Sequence, residues 1–149
     1  MTLGLALGNA DQIIVAVDRR VTCGKAVIED GTSKIGHAVC DDASFLYCFT
    51  GLASDGRGFV TSRWLPVALY NAAQRTSHRY LDIAPAFANE AHATFDSLRN
   101  MRAQDRRLTI RLTGYVETGQ IVSSLISNFR DFDNSIDHAG ARVGRLRAQ

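Results

Sequence analysis

Three residues near the start of the chain carry reactive groups: the hydroxyl of Thr2, the carboxylate of Asp18 and the ammonium of Lys34. A threonine hydroxyl is a poor nucleophile at neutral pH. The small side chain of Thr2 permits removal of Met1, and the chain then begins with an α-amine of pKa near ~8 that can take the hydroxyl proton. Lys34 would favour the alkoxide electrostatically, and Asp18 would hold Lys34 charged and oriented. The chemistry so assembled is nucleophilic attack from the chain terminus.

For these groups to meet, the chain has to double back. Thr2-Leu3-Gly4-Leu5-Ala6-Leu7-Gly8 and Ile13-Ile14-Val15-Ala16-Val17 are two short apolar runs separated by Asn9-Ala10-Asp11, the pattern of a hairpin that returns Asp18 to the neighbourhood of Thr2. A third run, Ala26-Val27-Ile28, ends at Glu29-Asp30-Gly31 and leads to Ser33-Lys34-Ile35. Taken singly, each feature has a plain alternative. Asp18-Arg19-Arg20 at a strand end is equally a solvated turn, Lys34 a surface lysine, and Gly51 a turn glycine between strand and helix.

Together the features resemble a known family. Thr2, Ala16-Val17-Asp18-Arg19-Arg20-Val21-Thr22-Cys23-Gly24, Ser33-Lys34-Ile35 and Phe49-Thr50-Gly51-Leu52-Ala53-Ser54-Asp55 resemble, in order and spacing, the catalytic β-subunits of proteasomes and their simpler bacterial relatives. These are N-terminal-nucleophile (Ntn) threonine hydrolases. The resemblance implies that Thr2 is the nucleophile, that Asp18, Arg20 and Lys34 are the charged residues around it, and that the Gly51 amide is the oxyanion donor. It further implies an α+β fold, a sandwich of antiparallel sheets with flanking helices, acting on peptides or unfolded proteins. A homo-oligomeric ring, an ATP-dependent unfoldase as possible partner and no cofactor complete what the family suggests.

The composition is compatible with that picture. With 149 residues, 46% hydrophobic and 21% charged, the length and balance are those of one ordinary globular domain over 1–149. A net charge of +2 provides no electrostatic case for nucleic acid or a membrane as partner. Cys23, Cys40 and Cys48 have neither an even count nor Cys-x-x-Cys spacing, so neither a disulfide framework nor a zinc site is indicated, and a reducing cytoplasmic setting is the simple expectation. The apolar opening is too short for a membrane span and lacks a basic leader.

Further along, Gly36 to Cys40 and Phe45 to Thr50 read as paired strands across the turn at Asp41-Asp42. Their apolar residues are not confined to one face, which predicts a layer on each side of the sheet. One amphipathic helix is expected from Ser54 to about Gln74, capped by Ser54 or Asp55 and kinked at Pro66. A second is expected from an Asp82 cap, with Pro85 in its first turn, to the basic residues at Arg106-Arg107. Leu108 to Thr113 alternates, Gly114 to Gln120 turns, and Ile121 to Ser127 returns as a strand.

From Asn128 on, apolar residues are too sparse to predict further strands or a helix pair, and about 130–149 reads as a mobile or aberrant tail. The chain also departs from the family's pattern in lacking a Gly-Ser-Gly loop, whose serine supports the nucleophile. Slow turnover is therefore expected even from a well-formed Thr2, Asp18 and Lys34 cluster. The alternatives are a non-catalytic structural subunit and a shortened, degenerate relative. His37, His78, His92 and His138 are scattered without ligand spacing, and Asp131 to Ser135 lacks the glycine and closing glutamate of a calcium loop.

Overall fold

The computed structural model describes residues 4–9, 11–23, 26–29, 31–98, 100–128 and 137–139. Two apolar runs pair as expected. Strands β1 (Gly4–Gly8) and β2 (Ile13–Val17) form an antiparallel hairpin in which Gly4 lies opposite Val17. Its turn is closed by the Asn9 side chain, whose Oδ1 accepts the amides of Asp11 and Gln12, both at 2.9 Å. Two short strands follow, β3 (Val21–Cys23) and β4 (Ala26–Glu29), paired with each other.

The central element is a five-stranded antiparallel sheet. It runs in the order β5 (Ile35–Cys40), β6 (Ala43–Gly51), β7 (Leu108–Val116), β8 (Ile121–Ser127) and β9 (Asp137–Ala139). Strand β9 was not expected from the sequence. Three residues are too few to show a period, and pairing with β8 is what defines them.

Two helices, α1 (Thr61–Gln74) and α2 (Tyr80–Ser97), cover one face of this sheet. Leu65, Leu69, Ile83, Phe87 and Phe95 pack there against Phe45, Phe49, Ile110, Leu112, Val122 and Ile126. Trp64 lies against Phe87 at 5.8 Å and edge-on to Phe95 at 5.9 Å between ring centroids. Tyr80 is fully buried, edge-on to Phe45, and its hydroxyl meets the Ser124 Oγ at 3.0 Å and the Leu112 carbonyl at 3.3 Å. Burial pushes that phenol up to about 12.

Both helix starts differ from expectation. Helix α1 begins at Thr61 behind Val60, without a side-chain cap, because Ser54 and Asp55 are engaged in the preceding loop. Asp55 Oδ1 there accepts the amides of Arg57 at 2.8 Å and Phe59 at 2.9 Å. Helix α2 begins at Tyr80, two residues before Asp82. Its first amide is satisfied by Asp42 Oδ1, 2.8 Å away in the β5–β6 turn, while Asp82 bonds Ser77 instead. The helix ends at Ser97, and Ala103–Arg106 form a separate 3-10 turn.

The opposite face of the sheet meets the β1–β2 hairpin. Strand β2 lies over β5 and β6, and β1 over β6. Gly4 sits above the Thr50 side chain, and the Tyr115 hydroxyl donates to the Asn9 carbonyl at 2.7 Å. The fold is thus α+β, with antiparallel sheets and two helices. Hydroxyls line this second face where β7 and β8 pair, with Thr109 Oγ1 and Ser127 Oγ 2.7 Å apart and Thr113 Oγ1 and Ser123 Oγ 3.2 Å apart.

Candidate active site

Three chain segments meet at one end of the hairpin. The first is 18–20, leaving β2; the second is 31–34, entering β5; the third is the end of β6 at Gly51. Register brings the last two together. Ile35 pairs with Cys48, and the Phe49 amide donates to the Lys34 carbonyl at 3.1 Å, which places Lys34 beside the final turn of strand before Gly51.

Lys34 lies inside the protein, with a relative exposure of only 2%. Its Nζ donates to the backbone carbonyl of Arg20 at 2.5 Å, tying the segment after β2 to the start of β5. Burial pushes the ammonium below the ordinary lysine range, and the Asp18 carboxylate acts against that shift without overcoming it. Asp18 also accepts the Arg20 amide on Oδ1 at 2.9 Å, and Arg19 Nη2 donates to the Gly31 carbonyl at 2.7 Å. The 18–20 segment is therefore exposed but tied at two points to the segment entering β5, with one hydrogen bond within itself.

Gly51 has φ of +104°, a conformation that L side chains rarely adopt. A Cβ there would lie 2.2 Å from the Arg107 carbonyl oxygen. The next amide, that of Leu52, donates to this same carbonyl at 2.8 Å. Gly51 thus lets β6 close against the start of β7 and turn away toward α1.

Of the residues singled out from the sequence, Asp18, Arg20, Lys34 and Gly51 are gathered around these segment ends. Thr2 lies outside the described residues. Arg20 acts here through its backbone: its carbonyl receives the lysine, which no sequence pattern announces. Lys34 read singly as a surface lysine, and the fold makes it interior. Cys40 and Cys48 carry free thiols, both pushed up chiefly by burial. Among the described residues, no group of three His, Cys, Asp or Glu could hold a metal ion, and no helix is long and apolar enough to cross a membrane.

A buried lysine links pH to stability. The folded-state pKa lies below the ordinary 10.5, so between the two values the unfolded chain binds more protons and folding gains stability as pH rises. Urea unfolding from neutral pH upward should show wild type gaining stability relative to Lys34→Met. A difference that stays flat with pH would place the ammonium in a water-like environment.

The chain matches no known family profile and no curated protein. Among solved structures, it is similar to Anbu (ancestral beta-subunit) from Yersinia bercovieri, with a TM-score of 0.53 at 12% identity, over 84% of this chain and 52% of that one. It also aligns with Anbu from Hyphomicrobium sp. strain MC1, with a TM-score of 0.43 at 14% identity, over 85% of this chain and 52% of that one. The chain spans about half the length of these structures. At such identity, the Yersinia likeness speaks for the fold alone. It also corrects the family expectation: the structural neighbours are Anbu proteins, a distinct proteasome-like branch, and not the catalytic proteasome β-subunits that the sequence resembles. A few short motifs at strand ends carried that resemblance, and they do not separate branches that share a fold.

Proposed function

We propose that this chain hydrolyses amide bonds, with peptides or unfolded protein as substrate and Thr2 as nucleophile. The observation that carries this reading is the interior Lys34, which lies within the field of Asp18 and is bonded to the Arg20 carbonyl where three segment ends meet. An ammonium is costly to bury, and in this reading its charge serves the nucleophile that precedes β1.

In this reading the facing sheets are the scaffold of an N-terminal nucleophile. The Thr2 α-amine takes the hydroxyl proton while the oxygen attacks the scissile carbonyl carbon. The resulting oxyanion accepts a hydrogen bond from the Gly51 amide, and the amine leaving group departs with the proton. Water then attacks the ester, releases the acid and restores the hydroxyl. Lys34 stabilises the developing alkoxide, Asp18 positions Lys34, and Arg20 holds it through its carbonyl. We read the chain as one domain that assembles into homo-oligomers and works in the cytoplasm, where an ATP-dependent unfoldase could supply extended substrate.

Intact mass combined with covalent capture tests the reading. Purified protein should lack Met1 and should gain the mass of an inhibitor that reacts jointly with the hydroxyl and α-amine of an N-terminal threonine. Thr2→Ala should gain nothing. Quantitative retention of Met1 would sink the proposal, because an acylated amine cannot serve as the base.

A further inference from the structure

Strand β8 ends at Ser127, and the next residue, Asn128, turns its side-chain amide onto the chain entering β7. Its Oδ1 accepts the Leu108 amide at 2.8 Å and its Nδ2 donates to the Arg106 carbonyl at 2.9 Å, while its own backbone amide donates to the Leu108 carbonyl at 3.2 Å. One side chain thus brackets residue 107. The partners fix which end of the amide is oxygen, since a flipped amide would set a donor against an N–H and an acceptor against a carbonyl. The same stretch is tied to α2 as well, where Arg106 Nη1 donates to the Phe95 carbonyl at 3.1 Å in the last turn of the helix.

We infer that Asn128 is a positioning residue for the oxyanion donor. The inference rests on the reading above, in which the Gly51 amide is that donor, and names what holds it in place. The link is a single peptide unit. The Leu108 N–H that Asn128 accepts and the Arg107 carbonyl lie in the same rigid plane and, in a trans peptide, point in opposite directions. That carbonyl accepts the Leu52 amide at 2.8 Å and is the atom against which a Cβ on Gly51 would stand. Fixing the plane from the Asn128 side therefore fixes the seat of residues 51 and 52. The Gly51 amide itself points the other way. Gly51 lies opposite Leu108, and the bond from Leu52 to Arg107 marks that pair as one without mutual hydrogen bonds. Phe49, two residues earlier on the same edge of β6, donates to the Lys34 carbonyl, so the Gly51 amide is directed to the side on which Lys34 lies. A tilt of the 107–108 plane would carry that amide with it. Holding the plane takes one acceptor and one donor at once, which an asparagine supplies and a carboxylate does not.

Two capture reagents separate positioning of the donor from general support of the fold. A peptide epoxyketone and a peptide vinyl sulfone of the same sequence both react with the Thr2 hydroxyl, but only the ketone gathers negative charge on a carbonyl oxygen as it is attacked. Asn128→Asp turns a second acceptor toward the Arg106 carbonyl, and Asn128→Leu offers neither group. Each should slow capture by the epoxyketone roughly 10-fold and leave capture by the vinyl sulfone within about twofold of wild type, a part of the ~10²–10³ lost when an oxyanion donor is removed outright. Equal slowing with both reagents, or slowing with neither, would overturn the inference while leaving Thr2 as the nucleophile. Wild type captured by neither reagent would overturn the reading of Thr2 and this inference with it. Hydrogen exchange of wild type supplies a measurement independent of variant folding: the Leu108 and Leu52 amides, held on one peptide plane, should show comparable protection. A freely exchanging Leu108 amide would overturn the inference.

Discussion

Lys34→Met is expected to slow covalent capture of Thr2 by more than ~10², the size commonly lost with a group that assists proton transfer at the reacting oxygen. Capture rate is the better readout because turnover itself is expected to be slow. Methionine keeps most of the volume of the lysine stem, so the interior around residue 34 stays filled. Lys34→Ala would confound the measurement, since it adds a cavity to the loss of the hydrogen bond to the Arg20 carbonyl that both variants share. Removing the charge relieves a desolvation cost that offsets part of the hydrogen bond lost at the Arg20 carbonyl, so the thermal midpoint of Lys34→Met should fall less than that of Lys34→Ala at neutral pH. An unchanged capture rate in a folded Lys34→Met protein would reduce Lys34 to a structural tether between the segment after β2 and the start of β5. Asp18→Asn should act in the same direction but less completely, because in the proposed mechanism Asp18 acts on the hydroxyl through Lys34.

Gly51→Ala should be the most damaging single-methyl change in the fold. The added carbon would meet the Arg107 carbonyl oxygen at 2.2 Å, its carbon at 3.0 Å and the Leu108 Cα at 3.1 Å. All three are backbone atoms, so no side chain can swing aside. With the left-handed φ added, the cost is roughly 3 kcal/mol or more, which in a chain of this size lowers the melting midpoint by about 6–12 °C. Gly56→Ala supplies the contrast. Gly56 also has positive φ, at +70°, yet nothing lies within 4 Å of its added carbon, so only the conformational cost of roughly 1 kcal/mol applies. Equal melting midpoints for the two variants would show that β6 can shift away from β7 at this point, and that Gly51 is not held where the proposed oxyanion donor needs it.

Part of this architecture follows from local pattern alone. The hairpin of β1 and β2 is legible because apolar runs of five residues flank an Asn-containing turn, and turn chemistry acts within a few residues. The pairings of β5 with β6 and of β7 with β8 are legible for the same reason. The two helices follow from apolar steps of three and four residues. Their starts do not, because the group that caps α2 is Asp42, 38 positions earlier in the chain. No window around Tyr80 contains that information.

The candidate site divides in the same way. Residue type and order single out Thr2, Asp18, Lys34 and Gly51 as groups that could work together, since the chemistry of a hydroxyl, a carboxylate, an ammonium and a free amide is a property of the residues themselves. Environment is not such a property. Only the tertiary structure makes Lys34 interior, turns the Arg20 carbonyl toward it and sets the Arg107 carbonyl against Gly51. Each of these depends on strands distant in sequence arriving side by side, and burial, which decides the lysine's charge and its cost, exists only after they have done so.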